Sequence, residues 1–237
     1  MVYFTTLMKN DLKNIFRDRM LVFSAFFAPI MFLVIGRIVF PWITEKYYPN
    51  LILFYPAFFM LFVIFIPMIF GFVAGFLIMD ERDENILTVL RVMPISRSSY
   101  LFYRMFLLSI LSFIFVLLVP WLTGLIEVSF WDYLPIAILF AVFTPILGLI
   151  VNIIATNKIQ AFAIFKTLGG VFMLPIFALA VEGWLQYIFS PIPNFWTFMA
   201  LEHLLESGVN DYMFIVIGFI YHFTLLGVLF HLFNKKF

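Results

Sequence analysis

The stretch FFMLFVIFIPMIFGF, residues 58–72, decides the class of fold. It lies inside an apolar run over residues 54–79, which is longer than the roughly 20 residues that a helix needs to cross a bilayer. Inside lipid, only α-helices and closed β-barrels satisfy all their backbone hydrogen bonds. Barrel strands alternate in polarity over segments of about ten residues, and residues 58–72 do not alternate. We therefore predict an all-α protein that crosses a membrane several times.

The composition of the whole chain supports the same class. Its 237 residues are 65% hydrophobic and 11% charged, whereas an ordinary globular chain is about 25% charged. So few charges do not cover a water-exposed surface. The absence of cysteine excludes disulfides and thiolate metal sites. Because the first nineteen residues are rich in charge and no small-residue cleavage pattern follows, we expect no cleavable signal peptide.

Six apolar segments are long enough to be spanning helices. We place them at about residues 20–40, 54–79, 101–124, 134–155, 159–181 and 212–233, within one domain over residues 1–237. If both termini lie on one side, twelve of the fourteen Lys and Arg residues share that side, and only Arg37 and Lys46 lie on the other. The positive-inside rule then places both termini in the cytoplasm. We predict a multi-pass protein of the plasma membrane.

Residues 1–19 predict an amphipathic helix. Its apolar residues recur at spacings of three and four, and Lys9, Lys13 and Arg17 form a basic stripe at spacings of four. Such a helix lies along the membrane interface, with its cations near anionic headgroups. An ordinary solvated helix is the alternative. On the outer side, residues 182–211 lack Lys and Arg and contain Pro191 and Pro193, which predicts short re-entrant helices before the last span.

A dense group of charges follows the second span. The segment MDERDENILTVLRVMPISRSS, residues 79–99, predicts a short helix over about residues 80–94, which ends at Pro94. Its acids would occupy the first turn, where the helix dipole favours them. The remaining side chains form an apolar face, which consists of Ile86, Leu87, Leu90 and Met93. Because lipid surfaces favour basic helices, the acidic first turn favours a protein partner for this face.

The same segment carries a family resemblance. DERDENILTVLRVMPISRSSYLFYRM, residues 80–105, resembles the cytoplasmic loop of permease subunits of type-2 ABC transporters, and LMKNDLKNIFRDRMLVFSAFFAPIM (7–31) and FSPIPNFW (189–196) resemble other parts of that family. The positions that match the loop pattern are Glu81, Arg82, Leu87, Leu90, Pro94, Ser96, Tyr100 and Arg104. Asn85 and Ile86 stand where the family has Gly-Thr, and Thr88 stands where it has Glu. Within that family, the chain resembles small permeases that export drugs or fluoroquinolones, and exporters of amphipathic peptides also look similar.

The resemblance implies a function and a set of partners. The loop helix would be a coupling helix that fits a cleft on a separate ATP-binding subunit, through Glu81, Glu84, Ile86, Leu87, Leu90 and Met93. It implies two copies of that subunit and a second permease, identical or different. The chain lacks the G-x-x-x-x-G-K-[ST] motif, so we expect it to be neither an enzyme nor a cofactor-binding chain, with ATP and Mg²⁺ on the partner. The implied cargo is amphipathic or hydrophobic: a drug, a peptide or a lipid.

Polar and glycine residues inside the spans supply the remaining candidates. Arg37 and His222 are candidates for the substrate path because polar side chains at membrane depth are often functional. The alternatives are snorkelling for Arg37 and a hydrogen bond to a neighbouring helix for His222. Gly71 and Gly75 form a GxxxG motif on the second span, which permits close helix packing within the subunit or between permeases.

Other classes of function fit the sequence less well. His203 and Glu206 supply only two possible zinc ligands, so we expect no metal site, and we expect no nucleic-acid partner. A secondary transporter driven by an ion gradient would carry carboxylates near the membrane midplane and a repeat between its halves, and neither is visible. A membrane immunity or scaffold protein that binds a toxin is the third class, and the loop helix argues against it.

Overall fold

Every element of the described chain is helical. The computed structural model describes residues 19–83, 97–181 and 183–236, and no β-strand occurs within these ranges. In chain order the elements are α1 (Arg19–Val34), a π-helical turn (Ile35–Val39), α2 (Phe40–Lys46), a 3₁₀ turn (Pro49–Phe54), α3 (Tyr55–Asp83), α4 (Arg97–Thr123), α5 (Phe130–Ile154), α6 (Lys158–Met173), two 3₁₀ segments (Leu174–Ala180 and Gly183–Phe189), α7 (Asn194–Ser207) and α8 (Tyr212–Lys236). The all-α prediction is confirmed for these residues.

Within the described residues, five helical segments are long and apolar enough to cross a membrane. They are Pro49–Asp83, Ser99–Thr123, Phe130–Ile154, Lys158–Ala180 and Tyr212–Lys236. They correspond to the second to sixth spans predicted from the sequence. The predicted first span coincides with α1, the π-helical turn and α2, which is not one of the five.

Helix α5 is the centre of the bundle. It contacts α3, α4, α6, α7 and α8, and 72% of its most apolar window is buried, against 22% for the segment Lys158–Ala180. Aromatic side chains connect α5 to its neighbours: the rings of Phe140 and Phe198 meet edge to face at 5.8 Å, and those of Phe59 and Tyr133 lie 6.1 Å apart. Because lipid is as apolar as these side chains, close packing holds the helices together.

Helices α3 and α5 pack closely against each other at two glycines of α3. A Cβ atom added at Gly71 would lie 2.7 Å from the carbonyl oxygen of Thr144, and one at Gly75 would lie 3.2 Å from Val151. The side-chain amide of Asn152 in α5 donates to the carbonyl of Gly75 at 2.9 Å, which adds a hydrogen bond to the same contact between α3 and α5. In this structure the GxxxG motif packs within the subunit.

Replacing Gly71 with alanine is expected to destabilise the subunit by about 1–3 kcal/mol, because the new methyl group forces the backbone of α5 to move. The midpoint of thermal unfolding in detergent measures this loss. Gly170 is the matched control, since a Cβ atom there meets nothing within 4 Å, and its replacement by alanine should leave the midpoint unchanged or slightly higher. Equal midpoints for the two variants would contradict the packing described for Gly71.

The two ends of the bundle differ in charge. One end, which we name the basic end, contains residues 80–83, the start of α4, the connection at residues 155–157 and the end of α8. There the ammonium of Lys236 donates to the carbonyl of Ile153 at 2.7 Å, which joins the ends of α8 and α5. The opposite end, which we name the acidic end, contains α2, residues 124–129 and α7. There the amide of Asn210 donates to the carbonyl of Asp132 at 2.9 Å.

Candidate functional site

The charges that follow the apolar run of α3 bind other parts of the same chain. The carboxylate of Glu81 is 5% exposed, and its Oε1 atom accepts hydrogen bonds from the hydroxyl of Tyr100 at 2.7 Å and from Nε of Arg104 at 2.8 Å. A second nitrogen of Arg104, Nη2, also donates to this oxygen. Tyr100 and Arg104 are four residues apart and therefore lie on the same face of α4. Glu81 thus joins α3 to α4 by a part-buried ion pair.

The neighbours of Glu81 connect α3 to a different helix pair. Asp80 pairs with Lys158, the first residue of α6, and both side chains are partly exposed. Arg82 donates from Nη2 to the carbonyl of Thr156 at 3.0 Å, in the connection between α5 and α6. Three consecutive residues at the end of α3 therefore hold α4 on one side and the α5–α6 connection on the other.

This arrangement differs from the sequence-based prediction. Residues 80–83 were expected in the first turn of a separate helix, but they continue α3, whose described residues extend to Asp83. Two acids of this stretch pair with basic side chains, Glu81 with Arg104 and Asp80 with Lys158. Glu81 was expected to face a partner protein, and it is instead buried against α4. The other predicted coupling residues lie outside the described residues: Glu84, Ile86, Leu87, Leu90 and Met93. The basic stripe of Lys9, Lys13 and Arg17 also lies outside them.

Arg37 caps a helix at the acidic end. It belongs to the π-helical turn, and its Nη2 atom donates to the carbonyl of Trp121 at 2.7 Å, while Nε donates to that of Leu122 at 3.4 Å. These carbonyls are at the C-terminus of α4, where a cation is favourable. The guanidinium lies against Gly124, whose φ of 62° ends the helix, and a Cβ atom there would lie 2.6 Å from Cζ of Arg37. The contact fastens the first helical segment to α4.

His222 is fully buried in the middle of α8. Its Nδ1 atom lies 2.8 Å from the carbonyl oxygen of Gly218, one turn earlier in the same helix, and donates to it. Its Nε2 atom has no hydrogen-bond partner among the described residues. The visible hydrogen bond is therefore internal to α8, and the described residues provide no hydrogen bond from His222 to a neighbouring helix.

An apolar cleft of about 740 Å³ lies between α4, α5 and α8. Its walls include Phe106, Phe113, Pro145, Phe223 and Phe230. Ser109 also lines it, but its hydroxyl donates to the carbonyl of Met105 at 2.8 Å within α4. The cleft has the volume of a typical site for a drug-sized molecule, which is about 300–1,000 Å³, and it offers apolar contact.

The acidic end contains a titratable group in α7. Burial raises the pKa of Glu202, the charge of Glu206 raises it further, and His203 acts in the opposite direction. Nδ1 of His203 lies 3.1 Å from the hydroxyl of Ser207 and 3.2 Å from the carbonyl oxygen of Val209. Both hydrogen-bond partners of this nitrogen are therefore within six residues of His203 in the chain. Across the described ranges, no three His, Cys, Asp or Glu side chains come together in a way that could hold a metal ion.

The described part of the chain contains five candidate membrane-spanning helices, with ion pairs at one end and an apolar cleft between three of them, which defines a multi-pass membrane protein. Over residues 11–230 the chain matches the family described as "Fluoroquinolones export permease protein Rv2686c-like", and it belongs to that family. The resemblance to small drug-export permeases, inferred from the sequence, is thereby confirmed.

Two curated relatives come from Mycobacterium tuberculosis. They are "Fluoroquinolones export permease protein MT2760" of strain CDC 1551 / Oshkosh and "Fluoroquinolones export permease protein Rv2686c" of strain ATCC 25618 / H37Rv. Each is 26% identical to this chain over 235 residues, which cover 96% of this chain and 92% of the relative. No solved structure shows significant similarity to the chain.

Proposed function

We propose that this chain is the transmembrane permease subunit of an ATP-driven ABC exporter, and that it moves amphipathic or hydrophobic drugs out of the cell. Membership of the fluoroquinolone export permease family carries this proposal. The names of the two mycobacterial relatives make fluoroquinolones the first cargo to test. The apolar cleft between α4, α5 and α8 supports an apolar cargo, because its size suits such a molecule and its walls are aromatic and aliphatic.

The energy for export would come from a partner. The sequence has no phosphate-binding motif of the P-loop type. We therefore place ATP and Mg²⁺ on a separate ATP-binding subunit in two copies, which bind two permeases, identical or different. Resistance to fluoroquinolone antibiotics is the expected consequence for the cell.

We place six spans in the plasma membrane, with both termini in the cytoplasm. Residues 19–46 are helical without interruption apart from the π-helical turn, which supports a first span there. The basic end then faces the cytoplasm, in agreement with the positive-inside rule. Lys9, Lys13 and Arg17 would hold an interfacial helix against the inner leaflet.

The coupling contact would lie between α3 and α4. The segment that connects these helices contains Glu84, Ile86, Leu87, Leu90 and Met93, and we propose that it binds the ATP-binding subunit. The contacts of Asp80, Glu81 and Arg82 support this role, because they join the start of that segment to α4 and to the α5–α6 connection. A displacement of the segment would thus move several spans together.

The orientation can be tested with introduced cysteines, because the native chain has none. Glu206 at the acidic end and Asp83 at the basic end are both exposed. We expect an impermeant maleimide to label Glu206→Cys in intact cells and Asp83→Cys only after lysis. The reverse pattern would invert the topology.

The proposed activity itself is tested by drug accumulation. Cells that produce the chain together with its ATP-binding partner are expected to retain less fluoroquinolone than cells that produce either protein alone. Equal retention in all three strains would contradict drug export by this chain.

A further inference from the structure

The cleft between α4, α5 and α8 has a proline in one of its walls. Pro145 lies inside α5, and both Pro145 and Ala141, one turn earlier, line the cleft. Because a proline has no backbone N–H, the carbonyl of Ala141 lacks the hydrogen bond that residue 145 of an α-helix normally donates to it. The two residues share one face of α5, so this carbonyl lies on the face that borders the cleft.

Among the described residues, neither hydroxyl close to Pro145 replaces the missing donor. Thr144, the preceding residue, is buried, and its Oγ1 atom has no hydrogen-bond partner. Ser109 of α4 donates its hydroxyl proton to the carbonyl of Met105 at 2.8 Å. Ala141 itself is 5% exposed, and a buried acceptor without a donor is unfavourable. A ligand in the cleft can supply that donor.

Ser109 adds a second acceptor at the same level of the cleft. Since its proton goes to Met105, its oxygen can only accept a hydrogen bond from a ligand. Two contacts set the antiparallel register of α4 and α5. A Cβ atom at Gly148 would lie 3.0 Å from the side chain of Met105, and the hydroxyl of Tyr133 donates to the carbonyl of Val116 at 3.1 Å. This register places Ser109 level with the stretch of α5 that carries the open carbonyl.

The rest of the lining determines which kind of donor fits. Ser109 is the one polar side chain among the described residues that line the cleft, and none of them is charged. A charge buried without a counter-ion is far more unfavourable than a hydrogen bond is favourable. The matching ligand is therefore uncharged and apolar, with an N–H or O–H group that points at the two acceptors.

We propose that the cleft selects uncharged apolar molecules that carry a hydrogen-bond donor, through the carbonyl of Ala141 and the hydroxyl oxygen of Ser109. The inference rests on the proposed export function, in which the cleft holds the cargo, and adds the group by which the cargo is chosen. A site that accepts a hydrogen bond discriminates against a molecule of the same shape without the donor, because its own polar atoms are then left unpaired.

Carbazole and dibenzofuran test this selectivity. The two flat molecules have nearly the same shape, and carbazole has an N–H donor where dibenzofuran has an oxygen. Binding is measured by equilibrium dialysis of each compound against lipid nanodiscs that contain the purified full chain, with the signal of empty nanodiscs subtracted. We expect the wild type to bind carbazole about fivefold more tightly than dibenzofuran, which corresponds to one net hydrogen bond.

Three variants assign the preference to the two acceptors. Pro145→Ala supplies a backbone N–H that occupies the Ala141 carbonyl, and Ser109→Ala removes the second acceptor without a change to the backbone. In each we expect weaker carbazole binding, unchanged dibenzofuran binding and a preference of about twofold or less. Pro67→Ala is the matched control, because Pro67 is a buried proline inside α3 that does not line the cleft; it should keep the fivefold preference.

Three results would overturn the inference. They are equal binding of the two compounds to the wild type, a full preference in Pro145→Ala or Ser109→Ala, and an equal loss of both compounds in these variants, which would indicate a change in the shape of the cleft. The proposed function fails separately. If the preference depends on both acceptors but cells that contain the ATP-binding partner retain as much fluoroquinolone as cells without it, the site stands and the export function does not.

Discussion

Replacing Glu81 with alanine is expected to cost the subunit about 3 kcal/mol of folding stability, because it removes the buried carboxylate that the part-buried guanidinium of Arg104 binds. Arg104 is 16% exposed and donates to Glu81 through two nitrogens, so solvent cannot compensate for the lost partner. The loss appears as a lower midpoint of thermal unfolding in detergent. The double replacement Glu81→Ala with Arg104→Ala should recover part of it, since the guanidinium that Glu81 binds is then absent as well.

Asp80 provides a matched control at the preceding position. Its pair with Lys158 is exposed on both sides, 39% and 51%, and exposed ion pairs contribute about 0–1 kcal/mol. Asp80→Asn should therefore leave the unfolding midpoint almost unchanged. Equal losses for Glu81→Ala and Asp80→Asn would mean that the Glu81 cluster does not fasten α3 to α4.

The double replacement Leu87→Asp with Leu90→Asp is expected to abolish co-purification with the ATP-binding subunit and drug-stimulated ATP turnover. Each buried leucine contributes about 1.5–3 kcal/mol to such a contact, and a few residues usually carry most of the energy of an interface. Insertion into the membrane should be unaffected, because the spans are unchanged.

The control for this pair adds the same charge elsewhere in the same segment. If residues 80–94 continue as a helix, Asn85 and Thr88 lie opposite the predicted apolar face. Asn85→Asp with Thr88→Asp should therefore keep both co-purification and ATP turnover. A Leu87→Asp, Leu90→Asp variant that still binds the partner and still exports drug would remove the coupling role from this segment.

The sequence predicted the spans well where long apolar runs decide them. Residues 54–79 and 134–155 correspond to α3 and α5, but α3 extends beyond residue 79 to at least Asp83. In this extension Glu81 pairs with Arg104 and Asp80 pairs with Lys158. Because both partners are distant in sequence, no local pattern predicts the extension. The fifth span was expected as one helix over residues 159–181; α6 ends at Met173 and a 3₁₀ segment follows, because Pro175 cannot donate to the α-helical ladder.

The roles of single polar residues were harder to predict. Arg37 was recognised as unusual from its depth in an apolar segment, but its carbonyl partners are more than eighty residues away. Its role as a helix cap depends on how α4 ends at Gly124, which only the folded bundle reveals. Gly71 and Gly75 were recognisable by their spacing, while the helix they approach, α5, was not.

Outward drug movement driven by ATP is tested most directly in inside-out membrane vesicles from cells that produce the chain with its ATP-binding partner. A fluoroquinolone is expected to accumulate inside these vesicles when ATP is added, to continue accumulating when a protonophore collapses the proton gradient, and to stop accumulating in the Leu87→Asp, Leu90→Asp variant. Accumulation that requires the proton gradient and is indifferent to ATP would contradict the proposal and place the chain among secondary transporters.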